Sequence, residues 1–103
     1  MNIVKILSEK IEEEINDAKS YVEMAIKHKQ DYPELSRTLY NISMQEMEHK
    51  NMLHNEVTEI IRKWRETNGD PPADMLAVYD YLHNRQIEKA LEVKTLQTMY
   101  KES

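Results

Sequence analysis

The chain has 103 residues, with one glycine, three prolines and no cysteine. We therefore expect a single domain and exclude disulfide frameworks, thiolate zinc sites and iron–sulfur clusters. Fourteen Lys and Arg against nineteen Asp and Glu give a net charge of −5, which argues against nucleic acid as a partner. No apolar run approaches the roughly 18 residues of a membrane span, and the first residues lack the features of a signal peptide. We expect a cytoplasmic protein without membrane association.

The residues that interrupt helices are clustered at two places, Pro33 and the segment Gly69–Pro72. So few turn-forming residues exclude an all-β domain. They predict an all-α, antiparallel bundle of three long helices, over residues 2–30, 34–66 and 73–101. Asp31 or Ser36 is expected to cap the second helix, and Gly69 to end it.

The first predicted helix carries one carboxylate within its apolar face. At about 100° per residue, one stripe contains most of its apolar side chains. These are Ile3, Leu7, Ile11, Ala18, Tyr21, Val22 and Ala25. Glu14 lies in the middle of that stripe, whereas Glu12 and Glu13 lie outside it. A buried lone carboxylate is destabilising by several kcal/mol unless it is paired, protonated or bound to a cation.

The second predicted helix has the same anomaly. Its apolar stripe consists of Leu35, Leu39, Ile42, Leu53, Val57, Ile60 and Trp64. Glu46 and His49 occupy the positions through which that stripe should continue. Because they are three residues apart, their side chains lie on one face of the helix.

Folding the first two helices about residues 32–33 brings these groups together. Glu14 and His49 then lie roughly 3 Å apart along the bundle axis, and Glu46 is within reach. Two carboxylates and one imidazole form a ligand set for iron, with manganese and zinc as alternatives. The competing interpretation is a buried, hydrogen-bonded Glu–His pair without a metal.

The segment from Glu14 to Ala25, with Tyr21 two turns after the glutamate, resembles the first helix of ferritin-like and rubrerythrin-like proteins. Gln45-Glu46-Met47-Glu48-His49 resembles the E-x-x-H of their second helix. The resemblance covers about residues 7–55. It implies that Glu14 is a terminal ligand, that Glu46 is a bridging carboxylate and that His49 is a ligand. It also implies that Tyr21 lies behind the ligands, although a core aromatic explains Tyr21 equally well.

The family pattern requires a second Glu and a second E-x-x-H, which this chain lacks. Glu92 in the third helix is a further candidate ligand, but its wheel position favours a solvated side chain. A homodimer would complete the site by symmetry, and the small encapsulated ferritins are similar in this respect. Those carry a C-terminal targeting tail, whereas this sequence is expected to be helical almost to Ser103. The resemblance implies a ferroxidase or a peroxide-detoxifying protein. The alternative is a non-enzymatic helical interaction protein with an empty site.

The other histidines and two other function classes give weaker expectations. His28 is expected to complement the end of the first helix, His54 to be solvated, and His83 to be a hydrogen-bonded core residue. A chorismate-mutase-like enzyme requires core arginines, and the first helix has none. A three-helix phosphocarrier requires a phospho-accepting histidine, and the sequence around His83 does not resemble that motif.

Overall fold

The computed structural model describes residues 2–103 and contains three helices, α1 (Asn2–Lys27), α2 (Pro33–Asn68) and α3 (Ala73–Glu102). No β-strand occurs within those residues, which confirms the all-α prediction. The helices are about 40–55 Å long at 1.5 Å per residue, and the molecule measures 55 × 18 × 18 Å. None of the three described helices is both long enough and apolar enough to span a bilayer.

The first turn differs from the prediction in its details. α1 ends at Lys27, before the predicted end at residue 30, and α2 begins at Pro33. Tyr32 has non-helical φ and ψ of −137° and 72°, because a residue before proline is displaced from the helical region. Tyr32 is therefore the N-cap, and no side chain caps the helix. The predicted cap at Asp31 or Ser36 is wrong.

The second turn confirms the predicted role of Gly69. Its φ is +76°, a conformation that side chains rarely adopt, and its N–H donates to the Arg65 carbonyl at 2.9 Å. α2 continues to Asn68, two residues beyond the predicted end. α3 then begins directly after Pro72, as predicted.

α1 and α2 pack through small residues. Ala18 and Ala25 are completely buried on α1, and each carbonyl accepts a hydrogen bond from a buried serine of α2. Ser43 donates to the Ala18 carbonyl at 2.7 Å, and Ser36 donates to the Ala25 carbonyl. Because both pairs are two helical turns apart, the bonds fix one antiparallel register, and the small side chains let the helices approach closely.

α3 lies against α1 and runs parallel to it. Gln86 donates to the Ser8 carbonyl near one end, and Lys29 donates to the Tyr100 carbonyl near the other. Since the residue numbers increase together along both helices, the three helices run up, down and up, as predicted.

α2 and α3 diverge, and few of their residues are in contact. The groove between them contains two adjoining cavities of about 710 and 450 Å³. Three interactions bridge the groove along its length. They are the Gln97–Ser43 hydrogen bond and the ring pairs His54–His83 and Tyr40–Tyr100.

The predicted apolar stripes are only partly buried. Ile11, Ala18, Val22 and Ala25 are in the core, together with Val4 and Ile15, which were not predicted. Ile3 and Leu35 are instead 49% exposed each, and their assignment to the core is wrong. On a wheel they lie on the side of the α1–α2 hairpin away from α3, so the sequence stripes include a face that no helix of this chain covers.

Two of the three histidines outside the candidate site differ from expectation. His83 is exposed rather than a core residue, and His54 is partly buried rather than solvated. The two rings stack with their centroids 5.2 Å apart. Both corrections have the same cause, because the splaying of α2 from α3 opens the face of α3 that the wheel assigned to the core. His28 follows the last residue of α1, and its Nδ1 is buried without a partner in residues 2–103.

Candidate metal centre

The register of the α1–α2 hairpin places the candidate ligands at one level. Glu14 lies one turn before Ala18 on α1, and Glu46 lies one turn after Ser43 on α2. Since Ser43 bonds to Ala18, the next turn of each helix brings the two glutamates face to face. His49 follows Glu46 by three residues on the same side of α2.

Glu14, Glu46 and His49 form a compact cluster. Each offers one ligand atom, and these three atoms lie within 4.8 Å of one another. His49 Nδ1 is 3.6 Å from Glu14 Oε2 and 4.0 Å from Glu46 Oε2. These distances exceed those of hydrogen bonds, so neither carboxylate is hydrogen-bonded to the imidazole. The three groups surround a common space. The Glu–His hydrogen bond of the competing interpretation is not formed at these distances.

The two carboxylates are largely enclosed, whereas the imidazole is open to solvent. The side chains of Glu14 and Glu46 are 23% and 19% exposed, and that of His49 is 54% exposed. Glu14 Oε2 is buried and has no hydrogen-bond partner within the described chain. An enclosed carboxylate oxygen without a donor is destabilising unless a proton or a cation approaches it.

The electrostatics of the cluster favour uptake of a positive charge. The pKa of Glu46 is raised to about 7. The main cause is the hydrogen bond that a protonated Glu46 donates to Glu14. Burial and the negative charge of Glu14 add to this effect, and His49 opposes it. Glu46 is therefore more readily protonated near neutral pH than an ordinary glutamate, as expected for a carboxylate that is enclosed beside a second negative charge.

A third carboxylate, Asp17, contributes to the negative potential and was missed by the sequence analysis. Its charge also raises the pKa of Glu46. Asp17 follows Glu14 by three residues, so the spacing that identified Glu46 and His49 would have identified it as well. It was overlooked because only residues within the apolar stripe were considered.

Glu12 shows what an ordinary structural carboxylate looks like in this chain. It lies two residues before Glu14, and it pairs with Lys89 at 2.8 Å and Arg85 at 3.3 Å. The Lys89 hydrogen bond is the main cause that lowers the pKa of Glu12. Among the described residues, neither Glu14 nor Glu46 has a Lys or Arg partner, so their enclosed charges lack the compensation that Glu12 has.

The remaining candidates lie away from the cluster. Glu92 on α3 pairs with Lys19 at 3.1 Å and is exposed, so the structure does not bring it to Glu14. Tyr21 is partly buried and lies about 10 Å from Glu14 along the axis of α1. Within the described residues its hydroxyl forms no hydrogen bond with the cluster.

The cluster lies on the side of the hairpin opposite α3. α1 contacts α3 through residues such as Ser8 and Glu12, which are some 120–160° around the helix from Glu14. The exposed Ile3 and Leu35 share the face of the cluster. The candidate ligands are therefore accessible from solvent on a partly apolar surface.

The residues fit a divalent cation. Carboxylate oxygens and an imidazole nitrogen suit iron, manganese and zinc, and the partnerless Glu14 oxygen is the group that such an ion would satisfy. No family model, no curated protein and no solved structure matches this chain. The interpretation of the site therefore depends on its residues and on their resemblance to the ferritin-like motif.

Proposed function

We propose that the protein binds a divalent metal ion, iron first and manganese or zinc as alternatives, through Glu14, Glu46 and His49. One observation carries this proposal: two enclosed carboxylates and an imidazole converge within 4.8 Å and have no Lys or Arg partner in the described chain. The resemblance of the same three residues to the ferritin-like motif supports iron.

Metal binding at this site is coupled to the release of a proton. A metal ligand must be deprotonated, so binding displaces the proton that Glu46 takes up near neutral pH. The two glutamates supply the negative charge that compensates the cation. His49 supplies a neutral nitrogen from the open side of the site.

Metal content measured by mass spectrometry, after anaerobic loading with Fe(II), Mn(II) or Zn(II) in separate arms, tests the site. Glu46→Ala and His49→Ala should each abolish uptake. Glu12→Ala is the matched control, because it removes a carboxylate of α1 that is already paired with Lys89, and it should retain the metal. Wild-type metal content in both site variants would contradict the proposal.

The second part of the proposal is that two copies pair through the face of the cluster. The accessible surface is 7158 Å², whereas a compact monomer of this mass exposes about 6,100 Å². Ile3 and Leu35 leave apolar area beside the ligands. A twofold axis there would oppose two Glu14–Glu46–His49 sets and complete a four-helix site.

Size-exclusion chromatography with light scattering tests the pairing. The wild type should be a dimer at micromolar concentration, and Leu35→Glu should be a folded monomer with reduced metal affinity. Val78→Glu is the matched control, because Val78 is an exposed apolar residue of α3, away from the cluster, and it should remain dimeric. A strictly monomeric wild type would refute the pairing without affecting the metal proposal.

Iron bound in such a pair of sites supplies ferroxidase-type chemistry, in which two Fe(II) ions are oxidised while dioxygen and two protons give hydrogen peroxide. The protein would enclose the reaction between the apolar residues of the paired hairpins. The near-ultraviolet absorbance after air is added to anaerobically loaded protein measures this activity. Oxidation no faster than in Glu46→Ala or in buffer would favour the non-enzymatic alternative.

A further inference from the structure

The groove between α2 and α3 has a composition that differs from the rest of the molecule. Its smaller cavity, of about 450 Å³, is lined by apolar, amide and basic side chains and by no Asp or Glu. This is unexpected in a chain with nineteen acidic residues and a net charge of −5. The basic groups are Lys50 and His54 from α2, and His83 and Lys94 from α3.

The two lysines lack counter-ions. Neither Lys50 nor Lys94 forms an ion pair within residues 2–103, whereas Lys19, Lys29 and Lys89 all have polar partners on α3 or α1. Lys50 is partly buried. Two unpaired cations that face one cavity create a local positive potential.

The stacked histidines lie where the two cavities meet. His54 and His83 line both cavities, with their ring centroids 5.2 Å apart and their planes 18° apart. Burial, followed by the charges of His83 and Lys50, lowers the pKa of His54. The surroundings of His54 therefore disfavour the charged form of its ring.

All the charged neighbours of His54 can be assigned to their helices. Lys50 lies one turn before it on the same helix, and His83 faces it from α3, whereas Lys94 lines the other end of the same cavity. Arg62, Arg65, Glu66 and Asp80 lie further along the groove, where Arg62 is already paired with Glu59 and Glu66. α1 contributes Ser8 and Ile11, which do not titrate.

The other lining residues fit a ligand that is apolar at one end. Met47, Ile87, Ala90 and Leu91 line the cavity, and Ile87 and Leu91 are exposed although they are apolar. Gln86 and Gln97 supply amide groups beside the basic residues. Small-ligand sites combine an apolar lining with a few polar groups that fix orientation.

We propose that this groove binds an amphipathic organic carboxylate, with its anionic head at Lys50, His54 and His83 and its apolar chain along Ile87 and Leu91, towards Lys94. A metal cation is disfavoured there, although two imidazoles are present, because two unpaired lysines share the cavity. The proposal is independent of the metal centre, since His54 and His49 lie about 140° apart around α2.

Octanoate is the experimental ligand, and isothermal titration at pH 7 measures its binding. We expect saturable binding of one octanoate per chain, whereas acetate and octylammonium, which lack the chain or the negative charge, bind at least tenfold more weakly. Lys50→Glu should weaken octanoate binding at least tenfold. Lys5→Glu, which changes the net charge equally on an exposed residue of α1, should change it less than twofold.

Histidine proton resonances followed across pH give a second test that needs no variant. A carboxylate beside His54 stabilises its charged form, so saturation with octanoate should raise the pKa of His54 and leave that of His28 unchanged. The proposal is overturned by an absence of saturable binding up to about 1 mM octanoate. It is equally overturned by octylammonium binding as tightly as octanoate, or by an unchanged pKa of His54.

Discussion

The two sides of α2 illustrate opposite solutions to helix packing. Towards α1, alanines face serines, the hydroxyls bond to the opposite backbone, and the two helices are close. Towards α3, two stacked ring pairs and the hydrogen bond from Gln97 to Ser43 bridge the helices, and a groove remains between them. The close interface contains the acidic cluster, and the open interface contains the basic groups.

This difference indicates how the fold positions charge. The carboxylates of Glu14 and Glu46 are brought together because small residues hold α1 against α2 in one register. The imidazoles of His54 and His83 remain accessible because α3 rests on α1 instead. The acidic cluster thus lies at the α1–α2 interface and the basic groups at the α2–α3 groove, so each interface can be tested separately.

The largest expected effect is that of pH on the acidic side. Glu46 has a folded-state pKa of about 7, against an ordinary value of 4.5. The folded metal-free protein therefore holds a proton that the unfolded chain releases, and stability is lost as pH rises through this range. The contribution amounts to at most about 3 kcal/mol. Urea unfolding from pH 4 to pH 8 measures it.

Glu46→Gln is the control, because a neutral amide removes the titration while preserving the shape of the side chain. The difference in stability between wild type and this variant should change with pH by the same amount.

The stability contribution of the groove between α2 and α3 should depend on pH with the opposite sign. The lowered pKa of His54 means that its contribution is present above the ordinary histidine pKa and is lost on acidification, and His54→Phe should abolish it.

The second prediction compares the spacing of the two interfaces. Ala18→Leu inserts a large side chain where Ala18 is fully buried against α2, and it should destabilise the protein by about 1–3 kcal/mol. Ala90→Leu makes the same change beside the groove and should alter stability by less than about 0.5 kcal/mol. Thermal unfolding of both variants measures the two changes in stability. Equal losses of stability would mean that the groove is closed in solution.

The third prediction concerns the hydrogen bond that joins the two interfaces. Ser43 donates to the Ala18 carbonyl and accepts from Gln97, so Ser43→Ala leaves a buried amide unsatisfied and should be destabilising by about 1–2 kcal/mol. Ser36→Ala removes one bond to the Ala25 carbonyl and should be less damaging. Chemical denaturation gives both values, and the reverse order would show that Gln97 finds another partner.

The smallest effect on stability is expected for the exposed ion pair between α1 and α3. Glu92→Ala removes an exposed ion pair with Lys19, and because solvent screens such pairs, the loss of stability should be small. Metal uptake should be unchanged, because Glu92 lies on α3, on the far side of the hairpin from Glu14. A large loss of bound metal in this variant would place Glu92 among the ligands.

The sequence was sufficient for the helices because Pro33 and Gly69 mark the turns unambiguously. It also identified Glu14, Glu46 and His49, since polar residues within an apolar stripe can be recognised on a helical wheel. Counting residues from the turn then placed them at one level. Whether these side chains hold a metal stays a prediction.

The relative positions of the helices could not be obtained in the same way. Wheels give the direction of a side chain but not its neighbour, so Ile3 was assigned to a core that no helix completes. The exchange of roles between His54 and His83 had the same cause. Ser36 and Ser43 are polar and therefore do not appear in an apolar stripe. Their hydroxyl groups nevertheless form the hydrogen bonds that determine how closely α1 approaches α2.

The docking of α3 on α1 has a consequence for the order of folding. The bonds between α1 and α2 join residues 11 and 25 positions apart, whereas those between α1 and α3 join residues 71 to 78 positions apart. Closing the short loop sacrifices less chain entropy, so the α1–α2 hairpin should form first and α3 should attach to it afterwards. In hydrogen exchange, the amides of α3 should then open by detachment of that helix, while those of the hairpin exchange only on global unfolding.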